Sequence, residues 1–130
     1  MNEIYPVSVS FSVPIKILSE ANNSDHWTKK KARKDEIRKE IRIEWIKIGC
    51  PYISLPCLIK ITRIAPRELD FDNLVFSMRS VTNMVADLII PGLAAGRADG
   101  DKRLKFEYLQ RKVPKTYAVE IEIICYQNNL

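Results

Sequence analysis

The chain has 130 residues, with 21 Lys and Arg against 16 Asp and Glu for a formal charge of +5, three cysteines and one histidine. A chain of this length suits one domain, residues 1–130, with a real core, because folding removes roughly two thirds of the unfolded surface from water. The odd cysteine count with no CxxC pair argues against a disulfide framework, and a single histidine, His26, disfavours His/Cys zinc sites and a Ser/His/Asp triad.

In chain order, VSVSFSVPI alternates Val7, Val9, Phe11 and Val13 with Ser8, Ser10 and Ser12, the period of a strand with one buried face. A polar loop, SEANNSD, follows. Residues 26–48 carry Ile37, Ile41, Trp45 and Ile48 at three- and four-residue spacing, which predicts a helix closed by Gly49 and Pro51. CLIKITRI predicts a second strand with Leu58, Ile59, Ile61 and Ile64 buried. A second helix is expected to start at Asp72 or Asn73 and run to about residue 90, stopped by Pro91 and Gly92. AAGRADGD reads as a loop with Gly96 and Gly100 as flexible points. RLKFEYLQRK and TYAVEIEII both alternate, and VPK between them predicts a hairpin. The order βαβαββ predicts an α+β domain in which two helices cover a mixed sheet.

Charge is unevenly placed. Residues 25–49 hold nine Lys or Arg against five Asp or Glu, whereas residues 67–101 hold three basic and six acidic side chains. The chain lacks both an apolar run near the roughly 20 residues that span a bilayer and a charged leader followed by an apolar stretch, so a soluble cytoplasmic protein with no membrane partner is expected.

The acidic segment contains two Asp-x-Asp pairs, Asp70 with Asp72 and Asp99 with Asp101. Clustered carboxylates repel one another unless a positive partner sits among them. In an extended segment Asp70 and Asp72 point the same way while Phe71 turns into the core, and Asp72 as a helix N-cap is held ionised by backbone N–H groups. At 100° per residue, Arg79, Asn83 and Asp87 share a helix face with Asp72, while Leu74, Met78, Val81, Val85 and Leu88 lie opposite. Arg79 then stands about two turns, roughly 10 Å, from Asp72. Carboxylates without thiolate or imidazole ligands select hard cations, Mg²⁺ or Mn²⁺, which serve phosphodiester cleavage. Joining Asp99 to the first pair requires the chain to fold back, because a loop after such a helix tends to return to the other end of the sheet.

HWTKKKARK places Lys29, Lys30, Lys31, Arg33 and Lys34 in the first turns of the first helix, with Trp27 as a stacking or wedge residue. Such a one-signed cluster neutralises phosphates without reading sequence; the alternative is a solvated helix face. Arg67 and Arg103, beside the two acidic pairs, are counted with these DNA-contacting cations.

LDFDNLVFSMRSVTNMVADLI, ADGDKRLKFEYLQRK and DHWTKKKAR together resemble the RusA family of Holliday junction resolvases, especially its phage and prophage members, from about residue 22 to residue 124. The resemblance implies a homodimer that binds four-way DNA junctions and makes paired, Mg²⁺-dependent nicks. It assigns Asp70, Asp72 and Asp99 as catalytic metal ligands. Ala98 stands where the family has a second aspartate, with Asp101 as its substitute, and Arg79 stands in place of the family's lysine. An Arg there keeps the charge and grips phosphate but does not readily donate a proton. The rival readings are a catalytically inert branched-DNA-binding phage protein, a nuclease preferring flaps or forks, and a structural phage protein with a solvated acidic patch.

Overall fold

The computed structural model describes residues 3–19, 26–94 and 96–129, so most of the expected SEANNSD loop lies outside the described residues. The alternating serines and apolar residues form strand β1 (Glu3–Val13), with Phe11 and Val13 buried and Ser8, Ser10 and Ser12 exposed. Ile15 and Ile17 continue the inward pattern past the strand and stay buried.

Helix α1 (Trp27–Lys47) begins at His26, whose Nδ1 accepts the Thr28 backbone N–H at 3.3 Å. Ile41 and Trp45 form its buried stripe, and the Trp45 ring meets Phe11 of β1 edge-on at 5.8 Å. Gly49 ends the helix with φ +91°, a left-handed conformation that costs little without a Cβ. Strand β2 (Cys57–Ala65) follows, then helices α2 (Phe71–Ser77) and α3 (Arg79–Ile89). A 3₁₀ turn at Ala98–Gly100 leads into strand β3 (Leu104–Lys112), and strand β4 (Ala118–Asn129) completes the chain order.

The architecture is α+β: a small domain with a four-stranded mixed sheet in the order β1-β4-β2-β3 and three helices. β4 runs antiparallel to both β1 and β2, and β3 runs parallel to β2. The registers align residues into rows across the sheet. On the helix-facing side the first row is Val7, Cys125, Cys57 and Leu104; the next are Val9, Ile123, Ile59 and Phe106, then Phe11, Ile121, Ile61 and Tyr108. The fourth row is Val13, Val119, Arg63 and Gln110. The first three rows are apolar and form most of the core; the fourth turns polar on β2 and β3. Burial pushes the Cys57 thiol up to about 11, helped by the adjacent Cys125, so these two cysteines act as small core residues.

Several expectations are corrected. The expected single helix from Asp72 or Asn73 to about residue 90 is two helices meeting at Met78 (φ −86°, ψ 4°). Thr82 Oγ1 donates to the Met78 carbonyl at 3.2 Å, a side-chain bond to the preceding turn that bends helices. The N-cap is Asp70, not Asp72. Because the helix starts two residues early, residues 70–72 are not an extended segment, and Phe71 is 64% exposed rather than turned into the core. The expected hairpin between the last two strands is absent. β4 lies between β1 and β2, and the connection passes the end of β2, where Val113 N–H donates to the Ala65 carbonyl. Its inward residues Val119, Ile121, Ile123 and Cys125 are at most 1% exposed, as suits a central strand, while charged β3 takes the edge. Of the two loop glycines, Gly96 has φ +79° and Gly100 needs no special conformation.

Candidate nucleic-acid interface and acidic turn

The sheet's fourth row explains how the acidic turn is held. Arg63 on β2 is 6% exposed; its Nε donates to the Ile17 carbonyl at 3.1 Å and its Nη1 to the Arg67 carbonyl at 2.7 Å. Gln110 beside it on β3 accepts the Leu69 N–H at 2.8 Å through Oε1 and donates through Nε2 to the Leu69 carbonyl at 2.7 Å. Asp70 then caps α2, its Oδ2 accepting the Asn73 N–H at 3.2 Å, while Asn73 Nδ2 donates to Ser19 Oγ at 2.6 Å. Asp70 and Asp72 are exposed at the N-terminus of α2. Neither Arg63 nor Gln110 is singled out by the sequence reading. The available signal was parity: each is a polar residue at an inward position, after Ile59 and Ile61 in one strand and after Phe106 and Tyr108 in the other.

The second acidic pair lies at the other end of the sheet. Cys57 N–H donates to the Arg103 carbonyl at 3.0 Å, so residues 98–103 enter the sheet at the first row, whereas Leu69 is clamped at the fourth. Those rows are six residues apart along β3, about 20 Å at strand spacing. Side chains cannot close that gap, and among the described residues no three Asp, Glu, His or Cys side chains are grouped to hold a metal ion. The expected convergence of Asp70, Asp72, Asp99 and Asp101 therefore does not occur within one chain. The chemistry of the donors suits a hard cation, but their placement in a single chain does not.

Asp101 is also committed elsewhere. Its Oδ1 accepts the Arg103 backbone N–H at 2.9 Å and Nε at 3.0 Å, and its Oδ2 accepts Nη2 at 2.9 Å. These side-chain and backbone bonds from Arg103 hold the carboxyl at a pKa of about 2. Arg103 is thereby drawn to Asp101 rather than presented as a separate cation. Ala98, at the position where the family resemblance expects an aspartate, is 0% exposed and packs in the core; a carboxylate there would be desolvated. Asp99 is half-exposed in the 3₁₀ turn. Asp87, on the stripe expected to be shared with Asp72, pairs with Arg38 of α1 at 2.8 Å and accepts the Gly96 N–H at 3.0 Å, so it ties α3 to α1 and to the following loop.

Part of the basic cluster of α1 lies beside Arg79, the residue expected on the stripe with Asp72. A groove of about 250 Å³ between α1 and the α2–α3 junction is lined by Lys30, Arg33, Lys34, Phe76 and Arg79, and among the described residues no carboxylate lines it. Lys29 and Lys31 lie on the exposed side of α1, Lys31 paired with Asp35 at 2.9 Å, and Trp27 is 66% exposed at the helix start. Arg67 is exposed on the acidic turn. By contrast, the groove between residues 14–18 and α1 includes Glu36 and Glu40, a mixed lining unsuited to a polyanion.

No family model matches the chain, and no curated protein matches it. Among the described residues, no helix is long and apolar enough to cross a membrane.

Proposed function

We propose that this protein is a structure-selective endodeoxyribonuclease of the RusA type, which binds branched DNA, four-way junctions above all, as a homodimer and nicks it with the help of Mg²⁺ or Mn²⁺. The observation that carries this reading is the gathering of Lys30, Arg33, Lys34 and Arg79 in one groove, which no carboxylate among the described residues lines, one to two helical turns along α2 and α3 from exposed Asp70 and Asp72. Phosphates seated on these cations bring a DNA strand past the acidic turn, and in this reading Arg79 offsets negative charge developing on a phosphate. A bound hard cation supplies Lewis-acid stabilisation of the phosphate oxygens. Because the two acidic pairs of one chain are about 20 Å apart along the sheet, the reading requires the partner subunit to bring its Asp99 to the Asp70–Asp72 turn.

A nicking assay on fixed and mobile four-way junctions, with and without Mg²⁺, tests it. Wild type is expected to cut and Asp72→Asn to bind without cutting; equal cleavage by the two proteins would refute the role of the acidic turn. The separation of the acidic pairs and the buried Ala98 favour one second reading, a branched-DNA-binding protein with no nuclease activity. It predicts salt-sensitive junction binding and no nicks with either ion.

A further inference from the structure

Beside the acidic turn, and separate from the Lys30–Arg79 groove, lies a second groove of about 310 Å³ whose lining includes Lys16, Arg63, Arg67, Leu69 and Tyr117. Three of these residues are cationic, and among the described residues no acidic side chain lines the groove and no carboxylate pairs with any of the three. Arg63 makes the groove unusual. Among the described residues Arg63 is the one buried side chain that carries a charge, and a buried charge is normally offset by an opposite one. Here Nε and Nη1 bind two backbone carbonyls, and Nη2 has no acceptor among the described residues. Burial pulls the Arg63 pKa below its usual value, with Tyr117 acting in the opposite direction. The aromatic ring of Tyr117 forms an exposed wall at 40% exposure, and Lys16 Nζ sits 4.4 Å from its centroid.

We propose that this groove is a phosphodiester subsite for a single nucleic-acid strand, in which Arg63 Nη2, Arg67 and Lys16 hold one phosphate and Tyr117 packs against the adjoining sugar or base. The inference rests on the nuclease reading for its purpose: a phosphate fixed here lies beside Leu69, one residue from Asp70, and sets which neighbouring phosphate of the same strand faces Asp70 and Asp72. Arginine suits the position because its planar fork keeps two donors on the protein while presenting a third to an anion. An aromatic wall beside a cationic floor is the usual composition of single-strand sites, where stacking tolerates any base.

The test is a ¹H–¹⁵N titration of the full chain, observing backbone amides and arginine Nε–H groups. One arm uses the 5′-phosphorylated thymidine dinucleotide, a second inorganic phosphate, and a third measures affinity for a fixed four-way junction as salt is varied. The dinucleotide is expected to shift Arg63 Nε–H and the amides of Arg67 and Tyr117. Lys16→Glu and Arg67→Glu, both at exposed positions, should each weaken dinucleotide binding about tenfold, and each should lower the salt slope of junction binding by about one. Arg63→Lys, which retains charge but not the fork, should bind less tightly than wild type. If the groove responds to the dinucleotide while junctions stay uncut, the subsite stands and the nuclease reading falls. If junctions are cut and the groove is silent, with the salt slope unchanged in both charge-reversal variants, the subsite is overturned and the nuclease reading survives. Binding of inorganic phosphate as tight as that of the dinucleotide overturns the assignment to a strand and makes this a free-phosphate site.

Discussion

The side-chain amide of Gln110 exchanges two hydrogen bonds with the backbone of Leu69, 2.8 Å from the Leu69 N–H and 2.7 Å to its carbonyl. The amide thus acts as an extra rung of sheet, docking the turn before Asp70 onto the edge strand. Replacing Gln110 with Ala removes both bonds, at about 1–2 kcal/mol of stability, and frees the turn. In the nuclease reading, kcat should fall more than junction affinity, because phosphate contacts on α1 remain. Gln110→Glu keeps the shape but offers no donor to the Leu69 carbonyl, so it should reproduce most of the loss. Unchanged hydrogen exchange at Leu69 in both variants would count against the clamp.

Placement of Asp70 and Asp99 at opposite ends of β3 makes a mixing experiment decisive. In the dimeric nuclease reading, Asp72→Asn and Asp99→Asn proteins should each be inactive. Mixed dimers of the two should regain nicking on one strand, because one of their two composite sites contains only wild-type carboxylates. Inactivity of mixed dimers whose assembly is verified by mass would exclude a site shared across subunits.

The groove of Lys30, Arg33, Lys34 and Arg79 predicts a salt dependence. Lys34→Ala and Arg79→Ala should each reduce the slope of log affinity against log salt concentration by about 0.9 on duplex arms. Both should weaken binding to all sequences alike, as phosphate contacts do. Arg79→Lys should retain the slope and lose only the fork-like grip. Filter binding at several salt concentrations measures all three.

Arg103 holds the Asp101 carboxyl at about 2, below the roughly 3.9 of a free aspartate. A group depressed on folding stabilises the native state above its unfolded pKa, and that contribution disappears as pH falls through about 2. Carboxyl ¹³C titration should therefore place Asp101 near 2 in wild type and return it toward its ordinary value in Arg103→Gln. If Asp101 instead serves as a ligand in the assembled site, adding Mg²⁺ to the junction complex should break the Arg103 contact and sharpen metal dependence in Arg103→Gln.

Much of the architecture was legible in the chain. The serines alternating with Val9, Phe11 and Val13, the Ile41 and Trp45 stripe, and Gly49 after it each act locally, through side-chain period or backbone freedom, and the elements formed where those signals lay. The helix cap at Asp70 was missed by two residues because an Asp-x-Asp pair reads equally well as extended chain or as cap and first turn. Asn73 and its bonds to Asp70 and Ser19 decide between them. The hairpin expectation failed for a different reason: alternation shows that a strand has a buried face but does not name its neighbours.

By itself, the sequence determined the kinds of element, their order, the apolar faces and the gathering of like charges, because each depends on residues within a few positions of one another. Tertiary structure alone decided that β4 inserts between β1 and β2, that Arg63 and Gln110 stand together beneath the acidic turn, and that Asp99 lies far from Asp70. Those relations come from strand register and crossover direction, where distant segments compete to bury the same apolar rows and the winning arrangement is a property of the whole sheet.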